Sequence, residues 1–268
     1  MSRSHRGPRN LDLLAKSIVQ AAVPLDRPTE AVLAIVGLAV MLAPHGYAVR
    51  TLDRLAASGT PAADAVTLID GGVARTPHLW GRYDILLDPL RQATGTETSE
   101  RAVGQIAKIL VSADPDRHCG DDAAYGPDLL GALYGRLRSG RSLAAAGAFY
   151  TPPNVALMIA MLTDPEENTS ICDPAVGSGV MLWAGATAMR RAGRDPRTCR
   201  WYGIDTDPVA IAIAAINTAT WNLHDVTVLH RGNGLTATAG EMHEAERDRL
   251  AAGLARYAHP AGAAARTA

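Results

Sequence analysis

The sequence predicts an α/β protein in which a short parallel sheet follows a mostly helical N-terminal region. Two observations carry this. Between residues 170 and 231 three short apolar segments, "SICDP", "WYGID" and "VTVLHR", alternate with two segments of helical period. Strand, helix, strand, helix, strand is the pattern of a parallel sheet with right-handed crossovers. Before residue 125, by contrast, apolar residues recur mainly at helical spacing. A chain of 268 residues can bury one good core, or one core with a helical appendage.

The run "AVLAIVGLAVMLA" at 31–43 reads as a buried helix with Thr29 as its N-cap. Its thirteen residues fall short of the ~20 that a bilayer requires. "SERAVGQIAKILVSA" places Val103, Ile106, Ala107, Leu110 and Val111 on one helical face. "VTLID" at 66–70 and "YDILL" at 83–87 have strand-like composition and are expected as short strands. The Asp, Pro and Gly of "SADPDRHCGDDAAYGPD" mark a boundary, dividing a helical part at 1–125 from the sheet-bearing part.

"PDLLGALYGRL" then reads as a helix with Pro127 in its first turn, ending at Gly140. In "TPPNVALMIAML" the prolines can only begin a helix. After the first strand, "VMLWAGATAMRRAG" is a helix closed by Gly193. After the second, "DPVAIAIAAINTATWNL" has Asp207 as N-cap and Pro208 at N1. The sheet-bearing part spans 126–235, and the Ala-rich tail at 236–268 has helical or disordered composition.

Composition excludes several classes. Hydrophobic residues are 47% and charged residues 20%, which suits a folded globular chain rather than a disordered one. The formal net charge of −1 does not draw the whole molecule to polyanions, so contact with nucleic acid needs a local patch or a partner. Cys119, Cys172 and Cys199 have no metal-ligand spacing and suggest no disulfide framework, which fits a reducing cytoplasm and no metal. The start "MSRSHRGPR" lacks a following signal core, so neither export nor a membrane anchor is expected.

In a parallel sheet, ligands sit beyond the carboxyl ends of the strands. The turn after the first strand, "DPAVGSG", offers Asp173, and Gly177 and Gly179 allow close approach of backbone to a ligand. After the second strand stands Asp205, placed to accept two hydrogen bonds from ribose hydroxyls. After the third, Gly232, Asn233 and Gly234 present an amide suited to an adenine edge. Taken singly, the glycines are tight-turn residues and Asp205 a cap; placed together on consecutive strand ends they point to a nucleoside-bearing ligand. No Lys-Ser/Thr follows the glycines, and Leu182 stands where a dinucleotide fingerprint needs its third Gly. An acidic residue opening the loop favours a cationic ligand over a pyrophosphate, and S-adenosylmethionine satisfies each point.

As a set, "GAFYTPPNVALMIAML", "ICDPAVGSGVML", "YGIDTDPVAIAIAAINTATWNL" and "RGNGL" resemble the core of bacterial DNA adenine-N6 methylases, in particular the modification subunits of type I restriction systems. The resemblance runs from about Asp128 to Leu235, with a weaker likeness over the helical N-terminal part. It implies a truncated Rossmann-like sheet of the class I S-adenosylmethionine methyltransferase kind, with S-adenosylmethionine as cofactor. It also implies cofactor-binding roles for Phe149, Tyr150, Thr151 and Pro152, for Asp173, Pro174, Gly177, Ser178 and Gly179, and for Asp205.

The departure concerns the target base. The family's Asn-Pro-Pro-aromatic tetrapeptide should close a fourth strand shortly after Leu235, and "TATAGEMHEAERDRLAAGLARY" holds neither the strand nor the Pro-Pro turn. Upstream, "DPLR" and "DPDR" are the nearest segments and neither qualifies. No catalytic residue is therefore assigned. In "FYTPPN" the aromatic precedes the prolines and a helix follows them, so this stretch reads as a cofactor lid.

Without a fourth strand, "SICDP" is expected to have an unpaired apolar edge, covered by the tail, the N-terminal helices or a second polypeptide. The expected function is that of a site-specific adenine DNA methyltransferase whose isolated chain is weak or inactive, with DNA bound through a partner or a further recognition domain. The alternatives are a non-catalytic S-adenosylmethionine-binding or regulatory protein derived from a methylase, and a small-molecule methyltransferase using Asn233. The arginines between Arg190 and Arg200 read as a solvated loop at the far edge of the sheet; His224 and His230 as structural or exposed; Trp183, Trp201 and Trp221 as core.

Overall fold

The computed structural model describes residues 11–119, 127–138 and 151–257. The chain divides into two compact units, one of residues 1–65 and 88–147, the other of residues 66–87 and 148–268. The boundaries fall inside two helices, α4 (Pro61–Ala74) and α5 (Asp84–Ala93).

The first unit contains α1 (Leu11–Ala22), α2 (Pro28–Leu42), α3 (Ala48–Ala57), α6 (Glu97–Ser112), the short α7 (Pro115–His118) and α8 (Leu129–Leu137). α2 is its hydrophobic centre: every side chain from Ala31 to Val40 is buried, with α1, α3, α6 and α8 packed around it. The stretch Pro28–His45 has the length and apolarity of a membrane span, and its burial among these helices is what a core helix requires. The helix begins at Pro28 rather than after Thr29. Proline's fixed φ suits the first helical position, and Arg27 takes the left-handed cap while pairing with Glu30 at 3.2 Å.

Val103, Ile106, Ala107 and Leu110 form the buried stripe of α6, and Val111 is half-buried. Its Glu100 is buried too, because its carboxylate accepts from Ala62 N–H at 2.5 Å and Gly95 N–H at 3.1 Å, serving the first turn of α4 and the turn before α6. α8 is capped by Asp128, which accepts from Gly131 N–H at 2.8 Å, so Pro127 precedes the cap rather than occupying the first turn. The helix ends at Leu137, and Gly140 lies outside the described residues.

The expected strands at 66–70 and 83–87 are helical. Ala62, Ala65, Ile69 and Val73 are buried at spacings of three and four in α4, and Tyr83, Leu86, Leu87 and Leu90 repeat this at α5. A five-residue window holds too few turns to show that period, so local β-propensity misleads where the longer stripe decides.

The second unit holds the sheet. α9 (Pro153–Thr163), β1 (Ser170–Asp173), α10 (Val180–Arg191), β2 (Arg200–Asp205), α11 (Pro208–Thr220), β3 (Thr227–Arg231) and α12 (Ala239–Tyr257) follow in order. The strands are parallel in the order β1-β2-β3, with Ser170 opposite Arg200 and Trp201 opposite Thr227. This is the α/β arrangement the alternation predicts. The cap on α11 is as expected, with Asp207 accepting from Val209 N–H at 2.9 Å ahead of Pro208.

Consecutive residues of a strand point to opposite faces. Trp201, fully buried, turns its ring toward Gly185 of α10, whereas Tyr202 bonds His243 of α12 at 3.1 Å. α10 and α12 therefore cover opposite faces. Trp183, Trp201 and Trp221 are all buried, as expected.

Residues 77–82 join this unit through a polar knot. Arg82 donates to Leu229 C=O of β3 at 2.7 Å, to Glu246 of α12 at 2.6 Å and to His78 C=O at 2.8 Å. Arg249 grips the same Glu246 at 2.6 Å and reaches Pro77 C=O and Trp80 C=O. Burial, relieved in part by Glu246, brings Arg82 down to about 10. His78, bonded to Thr218 at 3.0 Å, is held well below its ordinary value by burial and then by Arg82, so its ring is neutral.

Candidate functional site

The carboxyl ends of the three strands converge through backbone contacts. Val176 N–H donates to Ile204 C=O at 2.8 Å, docking the turn after β1 onto the end of β2. Gly232 N–H donates to Asp205 C=O at 2.9 Å, joining the exit of β3 to the same place. A Cβ on Gly234 would fall on the Pro174 carbonyl, so the turn after β3 lies directly against the turn after β1. Gly203, inside β2, makes room for this convergence: a Cβ there would stand 2.7 Å from Leu229 and 2.8 Å from Val176. Sequence reading passed over Gly203, although a glycine inside a strand signals a close approach.

Asp205 is the hinge of the arrangement. One carboxylate oxygen accepts from Gly177 N–H and the other from Asp207 N–H, both at 2.9 Å. Each oxygen keeps a further acceptor site. Gly177 and Gly179 sit at φ 52° and 91°, a left-handed backbone that glycine adopts without a Cβ penalty. A Cβ on Gly179 would also stand 3.3 Å from Trp221. Ser178 between them is buried, and its carbonyl accepts from Asn217 of α11 at 2.9 Å.

Asp173 is half-buried and accepts from Ala175 N–H at 3.0 Å. Burial raises its carboxyl above the ordinary value, the Ala175 N–H opposes this, and the charge of Asp205 adds to the rise. The charge of Asp173 is thus disfavoured by burial and by the neighbouring Asp205, an environment suited to a cation.

Asn233 is exposed, and its Oδ1 accepts from Leu235 N–H at 3.0 Å in an Asx turn. The amide oxygen thus accepts one bond within the turn and keeps a second acceptor site, beside the two donors of Nδ2. Thr151 is half-buried, and exposed Pro152 caps α9, its carbonyl accepting from Val155 and Ala156 N–H. No hydrogen bond joins Thr151 to Asp173 or Asp205 among the described residues. Phe149 and Tyr150 lie outside them.

Three of the arginines at 190–200 are tied to structure, Arg197 through Asp225 at 3.4 Å. Arg190 donates to Trp221 C=O at 2.8 Å, and Arg194 pairs with Asp164 at 2.6 Å. No cluster of three or more His, Cys, Asp or Glu suited to a metal occurs among the described residues.

Residues 126–251 match the family model described as N-6 DNA Methylase, in agreement with the resemblance read from the motifs. No curated protein gives a match. Among solved structures, a type I restriction-modification system methyltransferase subunit from Streptococcus thermophilus is similar at 13% identity and a TM-score of 0.47, over 87% of this chain and 60% of that one. A protein described as a modification subunit of a putative type I restriction enzyme, from Vibrio vulnificus YJ016, is similar at 15% identity and a TM-score of 0.49, over 88% of this chain and 58% of that one. The chain thus spans less than two thirds of the length of either.

Proposed function

We propose that residues 126–251, with their match to the N-6 DNA methylase family, form the S-adenosylmethionine-binding part of a DNA adenine-N6 methyltransferase. One observation carries the reading: Asp205 grips the Gly177 loop while Asp173, its charge disfavoured by burial and by Asp205, opens the same loop. A ligand bearing a cation beside a ribose would relieve the one carboxylate and bridge to the other. Bound S-adenosylmethionine supplies a methyl group activated by its sulfonium.

In this proposal Asp205 accepts from the ribose hydroxyls while holding the loop, and Asp173 balances the ligand's positive charge. Gly177, Ser178 and Gly179, with Pro174, shape the backbone around it, and Asn233 donates to an adenine acceptor through Nδ2. Phe149, Tyr150, Thr151 and Pro152 cover the methionine end. Alignment and electrostatic stabilisation of a flipped adenine are the remaining work of such an enzyme. No Asn-Pro-Pro-aromatic segment occurs in these residues, so target DNA is engaged through a further segment, domain or partner, and this chain alone transfers methyl groups weakly or not at all. The setting is the cytoplasm, where free Cys119, Cys172 and Cys199 persist as thiols.

The helix α12 favours a second reading. It occupies the stretch after β3, so a non-catalytic S-adenosylmethionine-binding regulator derived from a methylase fits the same residues.

Calorimetry tests the shared premise. S-adenosylmethionine is expected to bind the full chain, with Asp205→Ala weakening binding at least about tenfold, since a hydrogen bond to a charged group contributes roughly 1.5–3 kcal/mol. Absence of binding by the wild type removes both readings. Asp173→Asn separates function from folding. A carboxyl whose folded pKa is raised contributes stability below its unfolded pKa that is lost as pH rises through the folded one. Near neutral pH the Asn variant should therefore be as stable as the wild type or more so, yet bind more weakly. In the wild type, affinity should fall as pH drops through the raised Asp173 value, and the variant should lose that dependence. A pH-independent affinity in the wild type would remove Asp173 from the site.

A further inference from the structure

Resting on the reading above, we infer that Asn217 is a positioning residue for the cofactor site: it starts a hydrogen-bonded chain that ends on Asp205 and sets the carboxylate that meets the ribose. The chain can be followed atom by atom. Asn217 Nδ2 donates to Ser178 C=O at 2.9 Å. The same peptide group carries Gly179 N–H, which donates to Val176 C=O at 2.8 Å. That carbonyl shares its peptide group with Gly177 N–H, which donates to Asp205 Oδ2 at 2.9 Å. Three bonds thus run donor to acceptor in one direction, from a side-chain amide through two peptide groups to a carboxylate.

Direction gives the chain its effect. A peptide group that accepts at its oxygen becomes a better donor at its nitrogen, so bonds in line strengthen one another. The last N–H meets a charged acceptor, where such a bond is strongest. Asp205 Oδ1 is held separately, by the N–H of Asp207, the N-cap of α11. The helix α11 therefore orients both carboxylate oxygens, one through its cap and the other through Asn217 and the loop.

The glycines make a clamp necessary. Gly179, at φ 91°, tolerates backbone conformations that other residues avoid, so the peptide group between Ser178 and Gly179 can turn over at little steric cost. Held at its oxygen by Asn217 and at its nitrogen by Val176 C=O, it keeps one orientation.

Packing places Asn217 beneath the loop. Ala214, Asn217 and Trp221 recur at i, i+3 and i+7 on one face of α11. A Cβ on Gly179 would stand 3.3 Å from Trp221 and 3.7 Å from Ala214, so this face is the floor on which the loop rests. From Val209 to Ile216 every residue of α11 is apolar and buried, and Asn217 follows, buried as well. Burying an amide costs free energy unless it is hydrogen-bonded, whereas an apolar side chain fills such a place without that cost. The bond to Ser178 C=O is one that no apolar side chain can make.

Calorimetry with S-adenosylmethionine and amide hydrogen exchange, both on the full chain, test the inference. Asn217→Ala is expected to weaken binding about fivefold, the equivalent of one net hydrogen bond, and to speed exchange at Gly177 and Gly179 by a similar factor. Thr220→Val removes a hydroxyl that bonds Ile216 C=O and Asn217 C=O of its own helix, and it should leave both readings unchanged. A double-mutant cycle is decisive. On Asp205→Ala, where the chain has lost its end, Asn217→Ala should cost no further affinity. Losses that multiply overturn the inference, as does wild-type affinity in Asn217→Ala or an equal loss in Thr220→Val. Should Asn217→Ala not fold, Asp205→Ala reads the chain from its other end: the Gly179 amide should exchange at least about twofold faster, and unchanged exchange overturns the inference. The cofactor reading fails separately. Absence of binding by the wild type sinks that reading, while exchange at Gly177 in Asn217→Ala still decides whether the chain holds Asp205.

Discussion

Gly234→Ala is expected to destabilise the protein by about 2–3 kcal/mol, at the upper end of what overpacking costs, and to weaken the proposed S-adenosylmethionine binding with it. The new Cβ would fall on the Pro174 carbonyl, a backbone atom that cannot rotate out of the way. Relief requires the turn after β3 to lift from the turn after β1, parting Asn233 from the Asp173 loop. Gly232→Ala is the matched comparison. Its Cβ meets His230 Nε2 at 2.6 Å, the tip of a side chain that can turn aside, so the cost should be well under ~1 kcal/mol. Equal thermal midpoints for the two variants would show that the two turns do not depend on their contact.

Arg82→Ala should have the larger effect on stability. The change leaves Glu246 with Arg249 alone and strips the outward Leu229 carbonyl of its donor. Breaking a buried pair by removing one partner costs about 3–5 kcal/mol, because a desolvated charge is left with too few partners. At roughly 2–4 °C per kcal/mol, the thermal midpoint of the second unit should fall by about 10 °C. A fall of only a degree or two would mean that water replaces the guanidinium and that the knot is not what ties residues 77–82 to β3.

The two variants differ in how far sequence could have anticipated them. Gly234 belongs to the "GNG" turn, which stands out because it follows a third apolar strand. Arg82 carries no signal at all. It lies in "LWGRYDILL", a stretch whose composition suggests a strand, and its partners Leu229 and Glu246 are more than a hundred residues away. Nothing local records that a guanidinium will seal a sheet edge.

The same contrast holds within the site. Asp205 was legible as a strand-end carboxylate because the apolar run "WYGID" leads straight into it. Its grip on Gly177 N–H was not, since the two are 28 residues apart. Asn233 was legible as a residue of the turn after the third strand, whereas the bond that Leu235 N–H donates to its Oδ1 was not. Gly203 went unread because its meaning depends on Val176 and Leu229, which meet only once three strands are assembled.

Short-range physics is written in the sequence. The alternation of strands and helices, the caps at Asp128 and Asp207, and the glycine turns at 177 and 179 all arise from residues within a few positions of one another. The match of residues 126–251 to the N-6 DNA methylase model falls on this same stretch of strands, helices and glycine turns. Tertiary structure alone decided which sheet edge is sealed by Arg82, that α12 lies on the face opposite α10, and that β1 pairs with β2 alone among the described strands. These outcomes depend on backbone groups and side chains far apart in the chain competing for the same partners, and the winner is settled only when the strands are side by side.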